Sequence, residues 1–206
     1  MLKVGDKAPK ISLSGDDGHV HQVTSEGRTV VVYFYPKDDT PGCTVEAKDF
    51  STPEAQARFA AANATVYGIS KDTVQSHGKF RDKHGLHVRL LSDPELTVHG
   101  AFGAYGEKTM YGRSVMGTIR STFVLRDGRV AHAYPKVRVP GHVDAVLAAI
   151  EAHADGAAVK KATGKPSARA ADPPLAEAPA SGISKREGGP TSAKPKAPKA
   201  AKAKTK

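Results

Sequence analysis

The chain has 206 residues, of which 39% are hydrophobic and one is a cysteine, and its formal net charge at pH 7 is +10. A single cysteine excludes an internal disulfide and a cysteine-rich zinc site, and it argues against a disulfide-stabilised secreted domain. No apolar run is long enough to span a membrane, and the start of the chain lacks the apolar stretch of a signal peptide. We therefore expect a soluble, cytoplasmic protein without a membrane partner.

Charge and composition divide the chain near residue 155. Residues 156–206 carry 12 Lys/Arg and 3 Asp/Glu, a net of +9, and contain no aromatic residue. Such a Lys-, Ala- and Pro-rich segment cannot bury enough apolar surface to offset the entropy of ordering it. The sequence thus predicts a folded domain in 1–155 and a disordered basic tail in 156–206.

The first predicted elements are a hairpin, a buried strand and two helices. The hairpin turns at Gly-Asp-Asp-Gly, residues 15–18. A continuous β-branched and aromatic run at 29–36 predicts a buried central strand. The next helix has Thr40 as its N-cap and Pro41 at its first position, and Thr52 repeats this signal for a second helix.

Further strands and helices alternate along the rest of the domain. A buried strand is predicted at 65–70, followed by a helix that stops at Gly85. A short strand follows at 88–93, and Pro94 is predicted to open another short helix. Residues 121–135 form two strands joined by Asp-Gly, a strong hairpin signal.

The domain is predicted to close with an amphipathic helix. Its apolar face consists of Val143, Val146, Leu147 and Ile150. Alternating strands and helices that end in an antiparallel hairpin and a helix predict an α/β fold with a central mixed β-sheet flanked by helices. This order of elements is compatible with a thioredoxin-like fold.

Cys43 occupies the third position of the helix that is predicted to begin at Pro41. Unpaired backbone N–H groups and the positive end of the helix dipole favour an anion there, and thus a nucleophilic thiolate. The alternative is a small buried hydrophobe, the usual fate of a lone cysteine. The Pro-Gly pair that precedes Cys43 favours an exposed turn and hence the reactive thiol.

The residues around Cys43 resemble a known family. The pattern Pro36-x-x-x-Thr40-x-x-Cys43, in "PKDDTPGCTVEA", is similar to the active-site motif of peroxiredoxins, in particular the bacterioferritin-comigratory-protein (PrxQ) subfamily. The similarity continues in "EKTMYGRSVMGTIRSTFVLRDGRV" and "KVRVPGHVDAVL". The resemblance implies a thioredoxin-like fold and a cofactor-free thiol peroxidase that reduces hydrogen peroxide and organic hydroperoxides in antioxidant defence and redox homeostasis.

The resemblance also implies roles for individual residues. Cys43 would be the peroxidatic nucleophile that becomes a sulfenic acid. Thr40 would hydrogen-bond the sulfur and the peroxide, and Pro36 would keep bulk water out. Arg120 would stabilise the thiolate and polarise the peroxide, although an Arg at the start of an apolar strand is otherwise typical of a surface. The backbone N–H groups of Gly42 and Cys43 would complete a cradle for the leaving oxygen.

One position departs from the resembled subfamily. Many members have a second, resolving cysteine five positions after the first, where this chain has Lys48. We therefore expect a one-cysteine enzyme whose sulfenic acid is reduced by an external thiol: thioredoxin, glutaredoxin or a low-molecular-weight thiol. A Cys43–Cys43 bridge would bury two active sites together, so we expect a monomer or a weak dimer.

Other enzyme and metal hypotheses are weaker. His77, His84 and His87 do not share one helical face, so we expect surface histidines and no metal site. A cysteine protease would need a histidine base beside Cys43, and the sequence assigns none. A thioredoxin-type disulfide exchanger would need a second cysteine at position 46, which is Glu46.

The alternative function is nucleic-acid association through the tail. The final residues, "AKPKAPKAAKAKTK", resemble the tails of linker-histone-like proteins, whose distributed charge contacts DNA without reading its sequence. A solvated extension without a partner is the other interpretation.

Overall fold

A computed structural model of the chain describes residues 1–110 and 113–157. Strands and helices alternate within these residues, and a two-stranded hairpin is inserted before the last two strands of the main sheet. In chain order the elements are β1 (Ile11–Gly15), β2 (Val20–Val23), β3 (Thr29–Phe34), α1 (Pro41–Ser51), α2 (Pro53–Ala61), β4 (Ala64–Ser70), α3 (Val74–His84), β5 (Arg89–Ser92), α4 (Thr97–Phe102), β6 (Tyr105–Met110), β7 (Arg113–Thr118), β8 (Ser121–Arg126), β9 (Arg129–Tyr134) and α5 (His142–Ala157).

The main sheet is mixed. Its strand order in the described part of the chain is β2-β1-β5-β4-β3-β8-β9, with β3 parallel to β4 and antiparallel to β8. The predicted α/β class with a mixed central sheet and a thioredoxin-like arrangement is confirmed. Because α1 is the next element after β3, across a short loop, its first turn lies near the carboxyl end of the central strand.

The central strand β3 is buried along its whole length. Its side chains alternate between two apolar clusters, one on each face of the sheet. Val31 and Tyr33 pack with residues of α1, α2, α3 and α5. Val32 and Phe34 pack on the other face with residues of α4. The two-sided burial explains why β3 reads as a continuous apolar run rather than an alternating one.

Most predicted element boundaries are confirmed. The β1–β2 hairpin is antiparallel, and Thr40 and Thr52 are the N-cap residues of α1 and α2. Gly85 ends α3 in the left-handed conformation, with φ 59°. The β8–β9 turn has positive φ at Asp127 and at the following glycine, as an Asp-Gly hairpin turn requires. The predicted apolar face of α5 is buried at Val143, Val146, Leu147 and Ile150.

Two local features differ from the sequence-based expectation. The helix predicted to open at Pro94 begins at Thr97 instead, because Asp93 caps it: its carboxylate accepts from the backbone N–H groups of Thr97 (3.0 Å) and His99 (2.8 Å). Leu96, with φ 56°, makes the turn between them. The β6–β7 hairpin was not predicted, because its strands lack a clean apolar alternation.

The remaining expectations concern the chain beyond the domain. In the described ranges no helix is long and apolar enough to cross a membrane. The predicted tail, 156–206, lies outside the described residues apart from its first two positions, where α5 ends.

Candidate active site

Cys43 lies in the first turn of α1, as the sequence predicts. Thr40 is the extended N-cap residue and Pro41 the first helical residue. The expectation of an exposed thiol is wrong, however: Cys43 is only 2% exposed and packs in the same cluster as Tyr33 and Tyr35. This burial follows from the position of the turn, which directs the side chain back over the end of β3.

The described partner of the Cys43 sulfur is Arg120. Arg120 lies between β7 and β8, and its Nη2 donates to Cys43 Sγ over 3.1 Å. The backbone carbonyl of Arg120 accepts a hydrogen bond from the backbone N–H of Val137 (2.9 Å), which fixes the main chain at Arg120. Burial alone would lower the pKa of Arg120, but the adjacent Glu46 and Cys43 side chains outweigh it and raise the pKa above its usual value. The two predicted residues are thus brought together across 77 positions of sequence.

Glu46 is a site residue that the sequence analysis did not identify. It lies one helical turn after Cys43, on the same face of α1, and is 1% exposed. Its Oε2 accepts a hydrogen bond from Nη1 of Arg120, whereas its Oε1 is buried with no partner among the described residues. Burial raises the pKa of Glu46 to about 7, against the opposing effect of Arg120. The signal in the sequence was the three-residue spacing of an acidic side chain from the cysteine.

The other predicted site residues are Thr40, Gly42 and Pro36. Thr40 makes no side-chain cap; its Oγ1 donates to the carbonyl of Lys37 over 3.1 Å. Gly42 lies alongside the guanidinium of Arg120, since a Cβ at Gly42 would stand 3.6 Å from Nη2. Pro36 and Arg120 line a cleft of about 730 Å³, together with residues of the β6–β7 hairpin and of the 136–137 segment. Pro36 thus shares a cleft with Arg120, and Gly42 adjoins the same guanidinium.

Two features of the described histidines correct or extend the sequence analysis. His77 was expected at the surface, but it is 0% exposed, and its Nδ1 is hydrogen-bonded to the carboxylate of Asp38. His142 is also buried, with Nε2 2.8 Å from Thr122 Oγ1. Burial and the positive charge of Arg120 lower the pKa of His142 to about 4, so its imidazole is neutral at pH 7. In the described part of the chain no group of three or more His, Cys, Asp or Glu could hold a metal ion.

The chain is similar to known proteins in sequence and in fold. Residues 4–133 match the model of the AhpC/TSA family. The chain is 48% identical over 144 residues to a putative peroxiredoxin of Mycobacterium tuberculosis, covering 69% of this chain and 90% of that protein. It is 40% identical over 148 residues to peroxiredoxin Bcp of Bacillus subtilis, covering 71% and 93%.

A solved structure of similar fold is that of Xanthomonas campestris peroxiredoxin Q. It matches with a TM-score of 0.65 and 44% identity, over 70% of this chain and 91% of that one. Another structure of the Xanthomonas protein is described as a trapped intermediate and ligand complex of an enzyme with alkyl peroxide reduction activity. The chain described here belongs to the AhpC/TSA family and, within it, to the peroxiredoxins of the Bcp (PrxQ) type, as a variant with a single cysteine.

Proposed function

We propose that this peroxiredoxin is a thiol-dependent peroxidase in which Cys43 is the nucleophile. The observation that carries the assignment is the guanidinium of Arg120 on Cys43 Sγ, at 3.1 Å, in the first turn of a helix. Both the cation and the helix N-terminus stabilise a thiolate relative to a thiol. The substrates we infer are hydrogen peroxide and organic hydroperoxides.

In the first step the Cys43 thiolate attacks the terminal oxygen of the hydroperoxide. The O–O bond breaks, an S–O bond forms, and the departing oxygen takes up a proton and leaves as water or an alcohol. Cys43 becomes a sulfenic acid. Arg120, Thr40 and the backbone N–H groups of Gly42 and Cys43 would hold the two peroxide oxygens, and they stabilise the charge that develops on the leaving one.

In the second step an external thiol reduces the sulfenic acid. The thiol condenses with it to a mixed disulfide and water, and a second thiol then releases Cys43 as the thiolate. The chain has no other cysteine, and the position five residues later is the exposed Lys48. Because Cys43 Sγ is buried, the external thiol can reach it only when the first turn of α1 opens. Thioredoxin, glutaredoxin and low-molecular-weight thiols are the classes of reductant that fit this chemistry.

The deciding experiment is peroxide consumption by the purified protein with dithiothreitol as the only reductant. We expect consumption by the natural sequence and none above background by Cys43→Ser, because the hydroxyl is not ionised at neutral pH. Circular dichroism checks that the variant is folded. Activity in the folded Ser variant would show that Cys43 is not the nucleophile.

Mass spectrometry after a peroxide pulse tests the absence of an internal resolving thiol. When thiol is scarce, we expect Cys43 to gain two oxygens as sulfinic acid, because nothing in its own chain intercepts the sulfenic acid. A monomer or weak dimer fits this scheme, since a Cys43–Cys43 bridge would require two buried sites to open together. A predominance of disulfide-linked dimer would instead favour resolution between chains.

A second, separable role rests on the sequence of the tail. Six lysines stand in the final 13 residues without an acidic residue among them. We propose that they make weak contacts with DNA phosphates that do not depend on base sequence.

A further inference from the structure

A buried ionisable pair adjoins the active site without touching its reacting atoms. Residues 36–40, called here the 36–40 loop, connect β3 to α1 and contain two predicted site residues, Pro36 and Thr40. Asp38 stands in the middle of this loop and is 7% exposed. The position of this loop therefore sets where Pro36 and the Thr40 hydroxyl lie relative to Cys43.

Asp38 ties this loop to the rest of the domain. Its Oδ1 accepts from the hydroxyl of Tyr35 (2.7 Å), and its Oδ2 accepts from Ser76 Oγ (2.7 Å) and lies 2.9 Å from Nδ1 of His77. Its backbone N–H donates to the carboxylate of Asp72 over 2.8 Å. Burial would raise the pKa of Asp38, but these donors, above all His77, outweigh it and lower the pKa. Asp38 is therefore a fully paired anion that fixes both the side chain and the backbone of the loop.

Burying the imidazole of His77 lowers the stability of the fold. It is 0% exposed on α3, and its Nε2 is buried with no hydrogen-bond partner in the described part of the chain. A buried polar nitrogen without a partner destabilises the fold, because its hydration is lost and not replaced. An aliphatic side chain would fill the same space without that cost, so apolar packing does not account for a histidine here.

A second contact joins α3 to the neighbouring loop residue. Asp39 has φ 55°, a left-handed conformation that is strained for a residue with a Cβ. Its carboxylate contacts Lys83 and lies 2.6 Å from His84 Nε2. Helix α3 thus holds the loop at two consecutive residues, inside through Asp38 and at the surface through Asp39.

We propose that His77 is a positioning residue of the peroxidase. Acting through Asp38, it fixes the 36–40 loop and with it the placement of Pro36 and Thr40 around the peroxide. The proposal rests on the peroxidase function, but it concerns a helix that contributes no atom to the reaction. Since a displacement of about 1 Å can cost a hundredfold in rate, loss of this tie should lower kcat/KM for peroxide by about ten- to a hundredfold.

The test compares two substitutions at the same position. His77→Leu fills the space and removes the hydrogen bond to Asp38, whereas His77→Asn keeps an N–H donor near the place of Nδ1. We expect kcat/KM for peroxide to fall about tenfold or more in the Leu variant and to return to within about threefold of the natural value in the Asn variant. Alkylation of Cys43 by iodoacetamide should not slow in either variant, because Arg120 still contacts the sulfur.

The outcomes separate positioning from mere stability. If His77→Leu lowers the melting temperature but leaves kcat/KM unchanged below it, the residue only supports the fold and the proposal is wrong. If the Leu variant does not fold, Asp38→Asn provides the same test, since it replaces a carboxylate oxygen by an amide that faces the donors. A natural protein without peroxidase activity would refute the proposed function itself, before any variant is compared.

Discussion

Asp38 and Glu46 are two buried carboxylates, 7% and 1% exposed, whose pKa values are shifted in opposite directions, so burial alone does not explain the shifts. Burial raises the pKa of both, but three side-chain donors lower that of Asp38, whereas Arg120 alone opposes the rise of Glu46 to about 7. Hydrogen-bond satisfaction, rather than depth, decides the charge of each group.

The two carboxylates accordingly suit different tasks. Asp38 stays ionised and paired, which makes it a fixed tie for the backbone before α1. Glu46 is close to half-ionised at neutral pH and shares one guanidinium with Cys43. Arg120 makes both contacts at once, with Nη1 on Glu46 and Nη2 on the Cys43 sulfur. The structure therefore places the firmly held charge beside the loop and the adjustable charge beside the proposed nucleophile.

The largest expected effect comes from removing the shared cation with Arg120→Ala. We expect the reaction of Cys43 with peroxide to slow by about a hundred- to a thousandfold, since charge on the departing oxygen loses a fixed donor. Stopped-flow peroxide kinetics measure the effect.

Two variants serve as controls for this prediction. Arg120→Lys keeps the charge but cannot donate to Glu46 and Cys43 in a fork, so its rate should lie between those of the natural and Ala proteins. Arg138→Ala removes an exposed cation of the following segment and should not change the rate. An Ala variant at position 120 with an unchanged rate would remove Arg120 from the site.

The next effect is on stability, and it distinguishes Glu46 from Asp38. A carboxyl whose pKa is raised from 4.5 to about 7 by folding destabilises the folded state progressively as pH rises through that window. Glu46→Gln removes this penalty, so its free energy of unfolding should exceed that of the natural protein by a margin that grows by about 3 kcal/mol between pH 4.5 and 7.5. Urea unfolding at a series of pH values measures the margin.

The difference between variants is needed because His142 acts in the opposite sense. Its folded pKa of about 4 lies below its usual 6.5, so its contribution is present above pH 6.5 and is lost as pH falls through 4. Subtracting the two unfolding curves cancels this term, which both proteins share. Parallel curves for the Gln variant and the natural protein would mean that Glu46 is ionised throughout the window.

The contrast also shows where sequence reasoning succeeds. The central strand, the N-cap of α1 and the β8–β9 turn were predictable because they depend on residues close in sequence: the apolar run of 29–36, the Thr40-Pro41 pair and the Asp127-Gly128 turn each carry their own signal. Arg120 was predictable only from family resemblance, because its contact with Cys43 spans 77 residues and no local pattern encodes it.

The missed residues are those whose role depends on burial. Glu46 looks like an ordinary charged position of a helix until the structure shows that Arg120 is its only described ion-pair partner. His77 looks like a surface histidine, because the sequence does not show that α3 turns it toward Asp38, 39 positions earlier. The capping role of Asp93 was missed for the same reason. Its carboxylate can accept from the N–H groups of Thr97 and His99 only when the turn at Leu96 has formed.

The smallest expected effect on catalysis is that of deleting the tail. Both carboxylates, Arg120 and Cys43 make their described contacts within residues 1–155. A protein that ends at residue 155 should therefore keep its peroxidase rate to within about twofold, as truncation outside a packed core does. If the rate or the Glu46 stability margin changed more than this, the tail would contribute to the site and the comparison of the two carboxylates would be incomplete.

The same truncation should abolish retention on DNA. Pro195 and Pro198 oppose a helix, and the segment has no aromatic side chain to stack on bases, so its lysines can contact phosphates alone. If all six terminal lysines engage a duplex, log K should fall against log salt with a slope of about −5, roughly a thousandfold between 50 and 200 mM salt. Gel-shift titrations of the full and truncated proteins on duplexes of unrelated sequence measure this slope. A full-length protein that does not shift DNA even at low salt would leave the tail as a solvated extension, and the peroxide chemistry of Cys43 as the function of the chain.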